Sequence, residues 1–159
     1  MTKTTALAIL VSGAVVAQTP LAAQHAPDPV NDTILLPGGI FCAFDVQAFV
    51  LGKANRIDLP NGGYLATSPG LDITLTNLND TSKQVTFNIT GGIHAYTEPS
   101  GITTGVTTGR SVLFNPSGPL QGIVLTVGRF PFVATADPTQ PVMLLEGEGQ
   151  LIDACALIS

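Results

Sequence analysis

The sequence predicts an all-β protein, folded as one antiparallel β-sandwich of the Greek-key, immunoglobulin-like or jelly-roll type, with a closed β-barrel as the alternative. Three observations predict this fold class. Charged residues make up only 11% of the 159 residues, and 17 glycines and 12 prolines divide the chain into short segments. These segments alternate apolar and polar residues, as strands with one buried face do. They recur at intervals of about ten residues, which favours antiparallel strands over strands that alternate with helices.

The N-terminal segment, residues 1–23, is predicted to be a signal peptide. Lys3 precedes an unbroken run of small and apolar residues, 6–17, which has the length of a signal-peptide core and is too short to span a bilayer of about 30 Å. Cleavage is expected near residue 17 or near residue 23; a buried N-terminal helix of a cytosolic protein is the competing interpretation. Residues 24–32 are expected to form a flexible leader, since they are proline-rich and lack periodicity, and residues 33–159 a single β domain.

The first predicted strand of the domain covers residues 41–50. Its alternation places one set of side chains on the inner face and leaves Asp45 and Gln47 on the other. A short helix is the alternative, because Phe41 and Phe44 are also helically spaced with residues further on, but the enrichment in Phe and Val favours the strand. The inner set is Cys42, Phe44, Val46, Ala48 and Val50.

Two hairpins follow. The turn Pro60-Asn61-Gly62-Gly63 supplies the positive φ angles that a tight hairpin needs. In the second hairpin, residues 71–75 and 85–89 both alternate apolar with polar residues around a turn at 77–82, so one face is core and the other is solvated. Further strands are predicted from the short apolar or Thr-rich segments 93–97, 102–108, 111–114, 123–127, 130–134, 142–146 and 150–153.

The two cysteines, Cys42 and Cys155, are predicted to form a disulfide. Export would place the chain in an oxidising compartment, where disulfides persist, and two cysteines allow a single intramolecular connectivity. Both lie in apolar strand patterns at opposite ends of the domain, so the first and last strands are expected to be neighbours. Two free, buried cysteines are the alternative.

Few residues suit catalysis. Glu146 and Glu148, with Gly147 between them, would place two carboxylates on one face of a strand about 6.5 to 7 Å apart, a separation used by glycoside hydrolases. Adjacent acids on one strand face are, however, most often a solvated edge, and catalytic pairs usually come from different strands. His94 has the chemistry of a general base, but no Gly-x-Ser-x-Gly elbow accompanies it. Asp153 completes the nominees for a secreted hydrolase, and no cofactor is expected.

The chain offers few groups for binding a metal or a carbohydrate. Asn77, Asn79 and Asp80 carry oxygens for calcium but lack the spacing of a dedicated loop, so Asx-turn chemistry explains them and no metal is predicted. Carbohydrate binding usually needs exposed aromatic rings; the chain has no Trp, and most of its seven Phe fall in core-facing patterns, leaving Tyr64 and Tyr96. In a eukaryotic source, N-glycosylation acceptors would be Asn31, Asn79 and Asn88.

The charge distribution disfavours nucleic acid as a partner. The formal net charge is −5, and the cations beyond the N-terminal segment are scattered, so no basic patch is formed. No stable membrane anchor is expected either, because no lipid-attachment signal is present. The cations are Lys53, Arg56, Lys83, Arg110 and Arg129.

Four short motifs resemble those of small secreted proteins of unknown function found in actinobacteria and some filamentous fungi. The resemblance covers residues 37–159, and it implies a β domain bracketed by two cysteines. It carries no catalytic or binding residues to this chain. The motifs are Cys-Ala-Phe at 42–44, Thr-Gly-Arg at 108–110, Gly-Pro at 118–119 and Asp-Ala-Cys-Ala-Leu at 153–157.

The function expected from the sequence is that of a secreted, non-enzymatic domain. It would act outside the cell by binding a protein or polysaccharide, or as a structural component of a surface. A secreted hydrolase is the alternative, and a host-directed effector or inhibitor that recognises its partner through loops at 101–109 is a third hypothesis. An enzyme should gather its acids and His94 in one pocket, whereas a binding domain should present a flat polar face or an exposed apolar patch.

Overall fold

The computed structural model describes residues 26–137 and 139–159, and nearly all regular structure in them is antiparallel β. Ten strands are followed by a single-turn helix, and a 3-10 turn at Pro60–Gly62 joins β2 to β3. The elements are β1 Asp28–Leu36, β2 Val46–Asp58, β3 Gly63–Thr67, β4 Asp72–Asn77, β5 Gln84–Asn88, β6 Gly91–Thr97, β7 Thr103–Asn115, β8 Gly122–Ala134, β9 Met143–Leu144, β10 Glu148–Asp153 and α1 Ala154–Leu157.

The strands form one continuous sheet that is not closed into a barrel among the described residues. Its order is β10-β8-β7-β6-β3-β2-β4-β5, with β1 added to β2 and β9 to β8. The long strand β2 is shared: residues 46–51 pair with β4, and residues 55–58 pair with β3. We call β1, residues 46–51 of β2, β4 and β5 sheet A, and the remaining strands sheet B. The predicted all-β, sandwich-like fold is confirmed, and the barrel alternative is not.

The main core lies between sheet A and part of sheet B. Val46, Ala48, Ile73 and Leu75 of sheet A are at most 1% exposed, and Ile123 of β8 packs in the same cluster. Val46 and Ala48 alternate with more exposed residues on β2. The period-two alternation in the sequence therefore corresponds to this buried face. The C-terminal residues close the cluster with Ala154 and Ile158, both fully buried.

A row of paired glycines crosses sheet B. Gly91 pairs with Gly109, Gly109 with Gly128, and Gly128 with Gly149, across β6, β7, β8 and β10. A Cβ on Gly128 would meet the Glu148 carbonyl oxygen, and one on Gly149 would meet that of Val127. The missing side chains therefore allow these strands to approach closely at the row. On one side of it, Val112 and Phe114 of β7 and Ile123 of β8 pack with the core of sheet A.

The Cys42–Cys155 disulfide is present, with 5.6 Å between the Cα atoms. Its surroundings differ from the expectation. Cys42 lies in a bend before β2 and Cys155 in α1, and the first and last strands are not neighbours, since β1 pairs with β2 and β10 with β8. The bond therefore anchors the C-terminal helix beneath the loop that enters β2.

Residues 41–45, predicted as the start of a strand, form a bend and the entry to β2. The backbone N–H of Gly39 donates to the Cys42 carbonyl at 2.7 Å, and that of Gly38 donates to Asp45 Oδ1 at 2.6 Å. These bonds fix a turn, so Cys42 and Phe44 reach the core from a loop. The inner face of Val46, Ala48 and Val50 is as predicted.

Other boundaries also differ. Residues 28–32, expected in a flexible leader, belong to β1 because they continue its pairing with β2 up to Asp28 opposite Ala54. The segments predicted at 102–108 and 111–114 form one strand, β7, and those at 123–127 and 130–134 form β8, because strand pairing continues through the glycines between them. The predicted signal peptide and residues 24–25 lie outside the described residues.

The two predicted hairpins are confirmed. Asn61 and Gly62 adopt φ angles of 67° and 81° in the turn before β3. β4 and β5 pair in register from Asp72 opposite Asn88 to Thr76 opposite Gln84. A search of the described part of the chain finds no helix long and apolar enough to cross a membrane.

Candidate functional site

The residues nominated for catalysis do not converge. Glu146 lies in a bend between β9 and β10 and not on a strand, so the predicted pair of carboxylates on one strand face with Glu148 does not form. Asp153 is the N-cap of α1, where its carboxylate accepts from the Ala156 N–H at 3.2 Å. His94 is exposed on β6, which β7 and β8 separate from β10, the strand that contains Glu148 and Asp153.

His94 lines a shallow groove of about 380 Å³ on the outer side of sheet B. Its walls are largely apolar, and none of Glu146, Glu148 and Asp153 lines it. The groove offers His94 neither an acid nor a nucleophile from the nominated set. The other residues that line it include Tyr96, Thr104, Val106, Pro131, Val133 and Leu145.

The outer face of sheet A is a regular array of exposed and half-buried side chains. Residues paired directly across antiparallel strands share a face, so the register of β1, β2, β4 and β5 defines three rows of four residues. We call these twelve residues the sheet A face. The rows are Leu35–Gln47–Thr76–Gln84, Thr33–Phe49–Thr74–Thr86 and Asn31–Leu51–Asp72–Asn88.

Eight of the twelve side chains on the sheet A face are hydroxyls or amides, and Asp72 carries its single charge. The Thr74 and Thr86 hydroxyls are 2.8 Å apart, and Asn88 Nδ2 donates to Asp72 Oδ1 at 2.9 Å. Three strand gaps and two row spacings make the face about 14 Å by 14 Å. Cross-strand hydrogen bonds thus order four side chains of a mostly polar surface.

Phe49 lies inside this polar array. Its side chain is 37% exposed, and Leu51, the next outward residue of β2, is 50% exposed. Thr33 and Thr74 are the neighbours of Phe49 in its row. An aromatic ring therefore faces solvent with hydroxyl groups on both sides. Sequence analysis did not single out Phe49, although it lies on the outward parity of the predicted strand, two residues after Gln47.

A second concave site opens where sheets A and B diverge. This cleft has a volume of about 470 Å³ and is mostly apolar. Arg56 and Arg110 line it, as does Asp28. Nothing in the sequence pattern indicated it, because its walls come from five strands that are distant along the chain. Its apolar residues are Val30, Ala54, Ala66, Leu71, Ile89, Ile93 and Val112.

The turn between β4 and β5 uses its polar side chains internally. Asn77 Oδ1 accepts from the Asn79 N–H at 2.8 Å, and Asp80 Oδ1 accepts from the N–H and hydroxyl of Ser82. The Ser82 hydroxyl, the Ser82 N–H and the Lys83 charge lower the pKa of Asp80. These are the predicted Asx turns. Within residues 26–137 and 139–159, no cluster of His, Cys, Asp or Glu has metal-binding geometry.

The three N-glycosylation acceptors occupy different surroundings. Asn79 is exposed in the β4–β5 turn, away from the sheet A face. Asn31 and Asn88 both belong to that face, in the row that also contains Asp72. Residues 103–109, expected to be part of a recognition loop, lie instead in β7 and pair with β6 and β8.

Comparison with known proteins finds no family model that matches the chain, and neither a curated protein nor a solved structure matches it.

Proposed function

We propose that this protein is a secreted, non-enzymatic domain that binds a neutral polysaccharide along the sheet A face. The observation that carries the proposal is the exposed Phe49 ring within an array of mostly hydroxyl and amide side chains. Sugars present hydroxyl groups at their edges and C–H groups on their faces. The sheet A face offers a partner for each: polar side chains for the hydroxyls and an aromatic ring for the C–H face.

The charge of the sheet A face favours a neutral polymer. Asp72 is its only ionisable side chain, and Asn88 already donates to it. An anionic polymer would find no cation among the twelve residues, and a cationic one would find a single, engaged carboxylate. Uncharged hydroxyl groups pair with the Thr, Asn and Gln side chains without loss of a strongly solvated charge.

The size and composition of the face favour a polysaccharide over a protein. In projection it covers about 200 Å², whereas a standard protein–protein interface buries about 800 Å² on each partner. Protein interfaces are also enriched in Trp, Tyr and Arg at their centres, and the sheet A face contains none of the three. An extended chain can lie on so narrow a surface.

Retention on insoluble polysaccharides tests the proposal. We expect the wild-type protein to be retained on cellulose or chitin and released by the matching soluble oligosaccharide. Phe49→Ala should weaken retention about fivefold, because stacking on an aromatic ring contributes on the order of 1 kcal/mol. Tyr96→Ala is the matched control, since Tyr96 is also an exposed aromatic side chain, at 42%, but lies in the groove on sheet B.

Two results would overturn the proposal. One is failure of the wild-type protein to bind any neutral polysaccharide. Capture of a protein in place of a polysaccharide counts as such a failure. The other is equal retention of the Phe49→Ala and wild-type proteins, which would move the binding surface away from sheet A.

Secretion is part of the proposal, because most insoluble polysaccharides lie outside the plasma membrane. The disulfide supports it, since such bonds persist in oxidising compartments. A glycan on Asn31 or Asn88 would cover the sheet A face. In a eukaryotic source, polysaccharide binding therefore restricts N-glycosylation to Asn79.

A further inference from the structure

The cleft between the sheets has the properties of a small-molecule site. Its volume of about 470 Å³ falls within the range of about 300–1,000 Å³ that ligand pockets occupy. Leu71 on its wall is only 8% exposed, and Ile89, Ile93 and Val112 are half-buried. The cleft therefore offers an apolar interior that a hydrocarbon chain would shield from water.

Two oppositely charged side chains, Arg110 and Asp28, lie at opposite ends of the cleft's strand series. Arg110 is on β7 and Asp28 is on β1, which are the two ends of the strand series β1-β2-β3-β6-β7 that lines it. A ligand with an anionic end would therefore place that end beside β7, away from the carboxylate on β1.

Arg110 is available for such a ligand, whereas Arg56 is engaged. Arg56 Nε donates to Asp58 Oδ1 at 2.9 Å, and its guanidinium lies 4.0 Å from the centre of the Tyr64 ring. In the part of the chain that the structure describes, no carboxylate lies within ion-pair distance of Arg110. An arginine side chain at the mouth of an apolar cleft matches a carboxylate or phosphate geometrically, because its N–H groups form a fork.

We propose that the cleft binds a single-chain amphipathic anion, with the hydrocarbon chain against Ile89, Ile93 and Val112 and the anionic head group on Arg110. The proposal is independent of polysaccharide binding, since the cleft and the sheet A face have no residue in common.

Calorimetric titration with decanoate, decyl phosphate and 1-decanol tests the inference. We expect both anions to bind the wild-type protein at least about tenfold more tightly than the alcohol, because a charge-assisted hydrogen bond is lost in the alcohol. Comparison of the two anions distinguishes a carboxylate from a phosphate head group.

Three variants locate the site. Arg110→Gln should weaken decanoate binding about tenfold and leave decanol binding unchanged. Arg129→Gln is the matched control, since Arg129 is an exposed arginine on β8 that does not line the cleft, and it should bind like wild type. Ala66→Phe should abolish binding of all three probes by filling the cleft, with circular dichroism to confirm that the variant is folded.

The inference is overturned if decanoate does not bind, if decanol binds as tightly as decanoate, or if Arg110→Gln and Arg129→Gln have the same effect. Binding of decanoate that survives Ala66→Phe would also overturn it, because the ligand would then occupy another place. Phe49→Ala should bind decanoate like wild type, so failure here is distinguishable from failure of polysaccharide binding.

Discussion

Asn77 is the residue that connects the β4–β5 turn to the C-terminus. It is 5% exposed, and its Nδ2 donates to the Ile158 carbonyl at 2.9 Å while its Oδ1 accepts from the Asn79 N–H. Both bonds satisfy backbone groups that sit beside the core. The side chain therefore joins residues that lie 81 positions apart in the sequence.

Replacement of Asn77 should be costly. Asn77→Ala leaves a backbone carbonyl and a backbone N–H without their partners, and we expect the free energy of unfolding to fall by about 2–3 kcal/mol in urea denaturation. Asn79→Ala is the control, because Asn79 enters this network through its backbone N–H alone. A loss below about 0.5 kcal/mol for Asn77→Ala would contradict this role.

At the same scale, Phe49 shows why an exposed site residue is hard to recognise in a sequence. Phe residues are mostly buried, so composition assigns them to the core. The alternation on β2 places Phe49 outward, but only the register with β1 and β4 shows that it stands among threonines. Such neighbours come from distant parts of the chain, and no local pattern reports them.

The strands show which parts of a fold are local. The β4–β5 hairpin and the turn at Asn61 were predicted because both depend on a few adjacent residues. The full length of β7 and β8 was not predicted, because glycine usually marks the end of a strand. Here Gly109 lies inside β7, Gly128 lies inside β8, and the two residues pair with each other. Likewise, residues 28–32 of β1 were interpreted as part of a leader, because their pairing with β2 cannot be recognised from their own sequence.

Gly128 should tolerate no side chain. A Cβ there would overlap the Glu148 carbonyl, and its φ of 132° disfavours other residues, so Gly128→Ala should lower the free energy of unfolding by at least about 3 kcal/mol. Gly39→Ala isolates the backbone term, since its φ is 82° and nothing lies within 4 Å of the added carbon; about 1 kcal/mol is expected. Equal losses in the two variants would show that close approach of β8 and β10 is unimportant.

At the scale of the whole molecule, the disulfide joins Cys42, a member of the core cluster, to Cys155, which packs against that cluster. Cys42 and Cys155 are 113 residues apart, and closing so long a loop in the unfolded chain contributes about 4–5 kcal/mol in the chain-entropy model. We expect the Cys42→Ser, Cys155→Ser double variant to lose a large part of that stability in urea denaturation. A midpoint equal to that of the oxidised wild-type protein would contradict this expectation.

The pairing of Cys42 with Cys155 was predicted from the number of cysteines and the expected compartment. Their positions in a bend and in α1 were not, because apolar alternation at 41–45 and around Cys155 looks the same whether the residues enter the core from a strand or from a loop. The cleft was not predicted for a similar reason, because its lining residues come from strands that are distant along the chain.

The same sulfur bridge makes most of the domain a covalent ring, from which β1 emerges on one side and the last four residues, 156–159, on the other. A peptidase that cuts any loop within the ring opens the circle without releasing a fragment. The severed ends stay tethered, so their strands can remain paired and the sheet A face and the cleft stay on one molecule. Only a second cut, or a reductant, would let the pieces part.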